Sequence, residues 1–96
     1  MSDLPVVAVI VASPGSEDTV RSALQALVAP SLAEAGCRSY TLHESAAQPG
    51  TFVTIESWAG QSDLDDHMAS AHIAAALVAT DGHLATAPAI HPLAPA

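Results

Sequence analysis

The stretch CRSYTLHESAAQPGTFVTIESWA, Cys37–Ala59, decides the fold. Its first residues alternate: Cys37, Ser39, Thr41 and His43 fall on one side, Arg38, Tyr40, Leu42 and Glu44 on the other, as in a strand. Ala-Ala-Gln-Pro-Gly supplies the turn. Thr51–Ala59 returns as a second strand, with Phe52, Thr54, Glu56 and Trp58 on one face and Val53, Ile55 and Ser57 on the other. The middle of the chain is therefore an antiparallel hairpin.

Upstream, PVVAVIVA (Pro5–Ala12) is apolar at odd and even positions alike, the pattern of a strand buried on both faces. A helix follows, with Ser16 as N-cap, Glu17 and Asp18 in the first turn, and Val20, Leu24, Leu27, Val28 and Leu32 on one face. Pro30 is expected to kink it or end its regular part, and Gly36 to stop the segment. Downstream, Ser62 is expected to open a short acidic helix with Asp65 at a capping-box position. A second helical stretch then runs from Ser70 to Gly82, and TAPAIHPL offers a Pro-limited edge strand. The Ala/Pro-rich tail from Ala87 reads as extended or swapped onto a partner.

The order β, α, β, β, α, β is the split βαβ pattern of a ferredoxin-like α+β fold with an antiparallel sheet, expected as a single domain over residues 1–96. Helices cover one face of such a sheet. A first strand that is apolar on both sides predicts that two sheets pack face to face, giving a homodimeric α/β barrel. Composition agrees: half of the 96 residues are apolar and 12% are charged, while a domain this small hides only about 60–70% of its unfolded surface.

The formal charge of −8, with Arg21 and Arg38 as the only fixed cations, speaks against nucleic acid, whose binding needs Lys/Arg to neutralise phosphates. Anionic membranes and polyanionic substrates are disfavoured for the same reason. A neutral or weakly polar small molecule fits better. No apolar run reaches the ~18–20 residues of a membrane span, and MSDLPVVAVIVASPGS lacks the basic start of a signal peptide, so a cytoplasmic protein is expected. The single Cys37 suits a reducing compartment and reads as a small buried apolar residue.

Chemistry-bearing side chains gather between Thr51 and Ile73, which holds the only tryptophan, the only phenylalanine and two of five histidines. Trp58 either fills a core short of aromatics or walls a pocket. Asp63 and His67, four apart, share a helical face on which a carboxylate can orient an imidazole. His67 and His72 would lie about 140° apart on a continuous helix, poor geometry for a chelate. A break at Met68–Ser70 would instead let both turn toward one cavity. His43 and Glu56 lie on adjacent strands and can exchange protons if buried. No HxH, HExxH or Cys/His zinc pattern occurs, so no metal is expected. A GxSxG elbow and a Gly-rich phosphate loop are also lacking, and Cys37 has no evident activating base.

From Gly36 to Ile73 the chain resembles the antibiotic-biosynthesis-monooxygenase family, which includes small quinol monooxygenases. The matching elements are Gly-Cys leading into a strand, Tyr40 and Leu42-His43 within it, the Pro-Gly turn, Phe52, Glu56-x-Trp58, and an acidic helix reading His67-Met-Ala-Ser-x-His72. The resemblance implies a homodimeric α+β barrel with a pocket in each subunit. For enzymatic members it implies oxidation of quinols or polycyclic aromatics by O2 with no cofactor. It disfavours haem degradation, because the haem-degrading members carry tryptophan at the position of His67 and histidine at that of Leu77. On this basis His67, His72 and Trp58 are the catalytic candidates, with His67 or His72 as proton acceptor. Phe52, Tyr40, His43 and Glu56 are the substrate-binding candidates. The alternatives are a noncatalytic dimeric barrel holding a small aromatic ligand and an isomerase-type dimeric barrel enzyme.

Overall fold

The structure is a computed structural model in which residues 3–96 are described. Strand β1 (Leu4–Val11) leads into helix α1 (Glu17–Leu32), the hairpin β2 (Cys37–Glu44) and β3 (Thr51–Trp58), helices α2 (Gln61–Met68) and α3 (Ala71–Thr80), and strand β4 (Ala89–Pro92). The sheet order is β2-β3-β1-β4 and every pairing is antiparallel. This is the ferredoxin-like α+β arrangement, with its second helical segment divided in two. Residues 89–92 pair with β1 of their own chain.

Strand alternation divides the sheet into two unlike faces. Val6, Ala8, Ile10, Phe52, Thr54, Glu56, Trp58 and Tyr40 point to the helical side and are buried, where Val20, Leu24, Leu27, Leu64 and Ile73 close over them. Val7, Val9, Val11 and Val53 point the other way and are only half-buried, and Ile55 beside them is exposed. The expectation of a first strand apolar on both sides is met in sequence; within one chain only one of those sides is covered.

Three local expectations change, and that for Pro30 stands. A bulge sets Cys37 opposite Trp58 and Ser39 opposite Ser57, with Arg38 as the extra residue. Cys37 therefore turns inward onto the core, away from Ser39, Thr41 and His43. Pro30 is tolerated inside α1 two residues before its end, where the N–H it lacks removes a single bond. Gly36 is not a left-handed cap: the positive-φ glycines are Gly15, Gly50 and Gly82. Its lack of a side chain instead admits Asp63, whose carboxylate and Cβ lie where a Gly36 Cβ would be. Helix α2 begins at Gln61 after Gly60 rather than at Ser62, with no side-chain cap.

Polar side chains lock the loops. Ser16 is the N-cap of α1, but its hydroxyl pairs with His83 Nδ1 at 2.9 Å rather than capping the helix. At the hairpin turn, Glu44 Oε2 accepts from Gly50 N–H at 2.9 Å and also binds Arg21. These contacts hold the Glu44 carboxyl below its ordinary range, the Gly50 bond contributing most. Arg21 also pairs with Asp18 and lies over the Phe52 ring, while Arg38 pairs with Asp3. Both fixed cations are thus engaged at the surface.

Candidate functional site

Between the inner face of the sheet and helices α1 and α3 lies a cavity of about 230 Å³. Ala8, Ile10, Thr54 and Ile90 form its floor, and Leu24, Leu27, Ile73, Leu77 and Thr80 its roof. Met68 and Leu77 at its boundary are large apolar side chains left substantially exposed. Tyr40, Glu56 and His67 supply the polar groups at one end. A mostly apolar hollow with a few convergent polar groups is the usual form of a small-molecule site.

Glu56 is 5% exposed. Its carboxylate accepts from Thr54 Oγ1 at 2.5 Å and from Trp58 Nε1 at 2.9 Å. All three side chains come from one face of β3, because residues two apart on a strand point the same way. Tyr40 stands opposite Glu56 on β2. Burial, and after it the Glu56 charge, pushes the Tyr40 phenol well above its ordinary pKa. Tyr40 is thus a hydrogen-bond donor at every moderate pH. Burial also raises the Cys37 thiol, with Glu34 and Glu56 adding to the effect, so Cys37 is no thiolate nucleophile.

His67 is 2% exposed and is clamped between rings: Trp58 lies 4.5 Å away centroid to centroid, Tyr40 5.6 Å and His72 5.7 Å. Its Nδ1 is 2.6 Å from Glu34 Oε2, and His72 Nε2 lies 2.9 Å from the same oxygen. An ionised carboxylate only accepts, so both ring nitrogens donate. The bond to Glu34 places the proton of a neutral His67 on Nδ1, leaving the Nε2 lone pair available. Nε2 makes no hydrogen bond within the fold. It is not sealed off either, because Ser31 Oγ is the one enclosed side-chain polar atom without a partner among the described residues.

The convergence of His67 and His72 depends on the break between α2 and α3. Ser70 donates to the His67 carbonyl at 2.6 Å, and its Oγ accepts from Ile73 N–H at 3.3 Å, capping α3. The five-residue spacing that is unfavourable on a continuous helix is thereby made convergent. Asp63 is not the partner of His67; it packs against Gly36 instead.

The expected site residues separate into three groups. Tyr40, Glu56 and His67 border the cavity. Trp58 lies behind, in contact with His67 and Glu56, and His72 flanks His67 beside the cavity lining. Phe52 is buried farther along β3 under Arg21. His43 is exposed on the opposite face of the sheet and bonds Thr41 at 3.0 Å. Its placement in the same pocket as Tyr40 is corrected by strand alternation: past the bulge at Arg38, an odd residue of β2 cannot share the side of Tyr40. Glu34 is the residue that sequence reasoning passed over. A signal existed, since an acid just past a helix C-terminus opposes the helix dipole and calls for some other stabilising contact.

The chain matches the antibiotic biosynthesis monooxygenase family over residues 4–79 and belongs to that family. Among curated proteins it is 38% identical over 71 residues to "Putative monooxygenase Rv0793" of Mycobacterium tuberculosis, a match covering 74% of this chain and 69% of that protein. The solved structure of Rv0793 superposes with a TM-score of 0.89 at 34% identity, over 99% of this chain and 96% of that one. PA3566 from Pseudomonas aeruginosa superposes with a TM-score of 0.92 at 32% identity, over 100% and 96% of the two chains.

Proposed function

We propose that the protein is a cofactor-independent monooxygenase that oxidises a small quinol-like or polycyclic aromatic compound with O2. The observation that carries this reading is the Glu34–His67 pair, which leaves the His67 Nε2 lone pair unbonded in a ring that borders an apolar cavity. A phenol or anthrone bound there transfers a proton to Nε2, giving an electron-rich anion able to reduce O2 directly. Glu34 stabilises the resulting imidazolium, and Tyr40 donates a hydrogen bond to the oxygen on which charge collects. The balance needs no outside reductant. An anthrone methylene becomes a carbonyl, one oxygen atom enters the product, the other leaves as water, and the substrate supplies all four electrons. A cavity of about 230 Å³ lies below the ~300–1,000 Å³ of pockets for drug-sized ligands, which favours a compact, flat substrate.

The expected result is O2 uptake by chelator-treated, metal-free protein presented with a panel of anthrones and naphthohydroquinones, above the rate of a His67→Ala control. Uptake no greater than the control overturns the reading. Saturable quenching of Trp58 fluorescence without uptake would then indicate a binding protein, and substrate conversion persisting without O2 an isomerase.

The second proposal is a homodimer formed through the open face of the sheet. Ile55 is 51% exposed there, beside Val7, Val9, Val11 and Val53, an apolar surface of the kind that marks an interface. Light scattering at micromolar concentration is expected to give twice the 9.7 kDa chain mass, and Ile55→Asp to shift it toward the monomer. A monomeric mass for the unaltered protein removes the proposal.

Among the described residues no helix is long and apolar enough to cross a membrane. With the acidic charge and the unpaired Cys37, this favours a cytoplasmic protein without nucleic-acid or membrane partners.

A further inference from the structure

Glu34, His67 and His72 bring one carboxylate oxygen and two imidazole nitrogens within 4.8 Å of one another, from three separate segments of the chain. We propose that this cluster is a binding site for a divalent transition-metal ion of the Zn²⁺ type, with His67 Nδ1, His72 Nε2 and a Glu34 oxygen as ligands.

The donor set is that of borderline cations: two imidazoles and one carboxylate favour zinc and its neighbours over Mg²⁺ or Ca²⁺, which take oxygen ligands. Tetrahedral ligands at ~2.0–2.2 Å from zinc lie about 3.3 Å apart. The separations of 2.6 and 2.9 Å therefore need to open by roughly half an ångström to admit the ion. His72 and Glu34 can make that adjustment, their side chains being 21% and 19% exposed, and the same exposure gives the ion a route in and leaves the fourth position to water.

Two further features favour a cation there. The Glu34 carboxylate has no lysine or arginine to neutralise it: the chain has no lysine, and Arg21 and Arg38 are engaged elsewhere. The ligands are also held in place beforehand. Trp58 and Tyr40 fix the His67 ring, and Ser70 ties the His67 carbonyl to the start of α3, setting the two histidines relative to each other. Such supporting contacts strengthen metal sites. Coordination through Nδ1 leaves the ring proton on Nε2, so a bound ion and the proposed base make competing demands on one ring. That consequence rests on the oxidation reading; the binding itself does not.

The test uses the tag-free full chain, stripped with chelator, without substrate. Co²⁺ is titrated while its visible absorption is followed, and Zn²⁺ is then added in competition. The expected result is one ion per chain with micromolar or tighter affinity, displaced by Zn²⁺ and not by excess Mg²⁺. Glu34→Gln and His72→Ala are each expected to weaken binding at least tenfold with far-UV circular dichroism unchanged. The double replacement His43→Asn/His91→Asn, at exposed histidines, is expected to leave binding intact. Histidine-ring NMR signals of His67 shifting at one equivalent give a second readout that needs no variant. Absent binding, or binding that Glu34→Gln and His72→Ala leave unchanged, overturns the proposal, whether or not the protein consumes O2.

Discussion

Replacing Trp58 with alanine is expected to lower the free energy of unfolding by about 3–5 kcal/mol, the range for large aromatic side chains removed from cores. Trp58 is fully buried, and it is the chain's only tryptophan in a core with one phenylalanine and one tyrosine. Its loss removes the ring packed on His67 at 4.5 Å and the indole N–H that Glu56 accepts. The buried carboxylate then keeps only Thr54 as donor, a further cost because an unsatisfied buried charge is poorly tolerated. A 96-residue domain has on the order of 5–14 kcal/mol in total, so the change consumes a large share of it. Urea unfolding followed by far-UV circular dichroism measures the loss. Trp58→Phe, which keeps most of the volume and loses only the donor, is expected to cost about 1–3 kcal/mol. A loss for Trp58→Ala below about 1 kcal/mol would mean that the ring is not the centre of the core.

His67→Ala is expected to lower kcat about 10²–10⁴-fold in metal-free protein, the usual contribution of a positioned general base. KM should move much less, because the cavity walls that hold the substrate are largely aliphatic. The truncation leaves a space the size of an imidazole between Trp58 and Tyr40, and added imidazole is expected to restore part of the rate. Glu34→Ala should also lower kcat, by less, since it frees the tautomer of His67 without removing the ring. If His67→Ala retains activity within about tenfold of the unaltered protein, proton transfer lies elsewhere, and Glu56 becomes the group to replace.

The strand order and the two faces of the hairpin were legible because the period of two is written directly into Thr51–Trp58 and, past its bulge, into residues 39–44. Family membership was legible in the same segment, through the ordered motifs between Gly36 and Ile73. The bulge at Arg38 was not, since no residue type there announces an extra position. The gap at Ala69–Ser70 was only a possibility in sequence, because Ser and Ala are also acceptable inside a helix. Glu34 could not be paired with His67 by spacing at all, being 33 residues away.

The sequence by itself determined the ferredoxin-like α+β order, the apolar character of both faces of β1, and the concentration of imidazole and aromatic groups after β3. These follow from local periodicity and composition, which act over a few residues. Only the tertiary structure decided which of those groups meet. It drew Tyr40, Glu56 and His67 to one cavity, and joined His67 to His72 through Glu34. The physical reason is that a strand fixes the side on which a residue lies, whereas contact between α1, α2 and α3 depends on packing across the core, on which local sequence rules are silent.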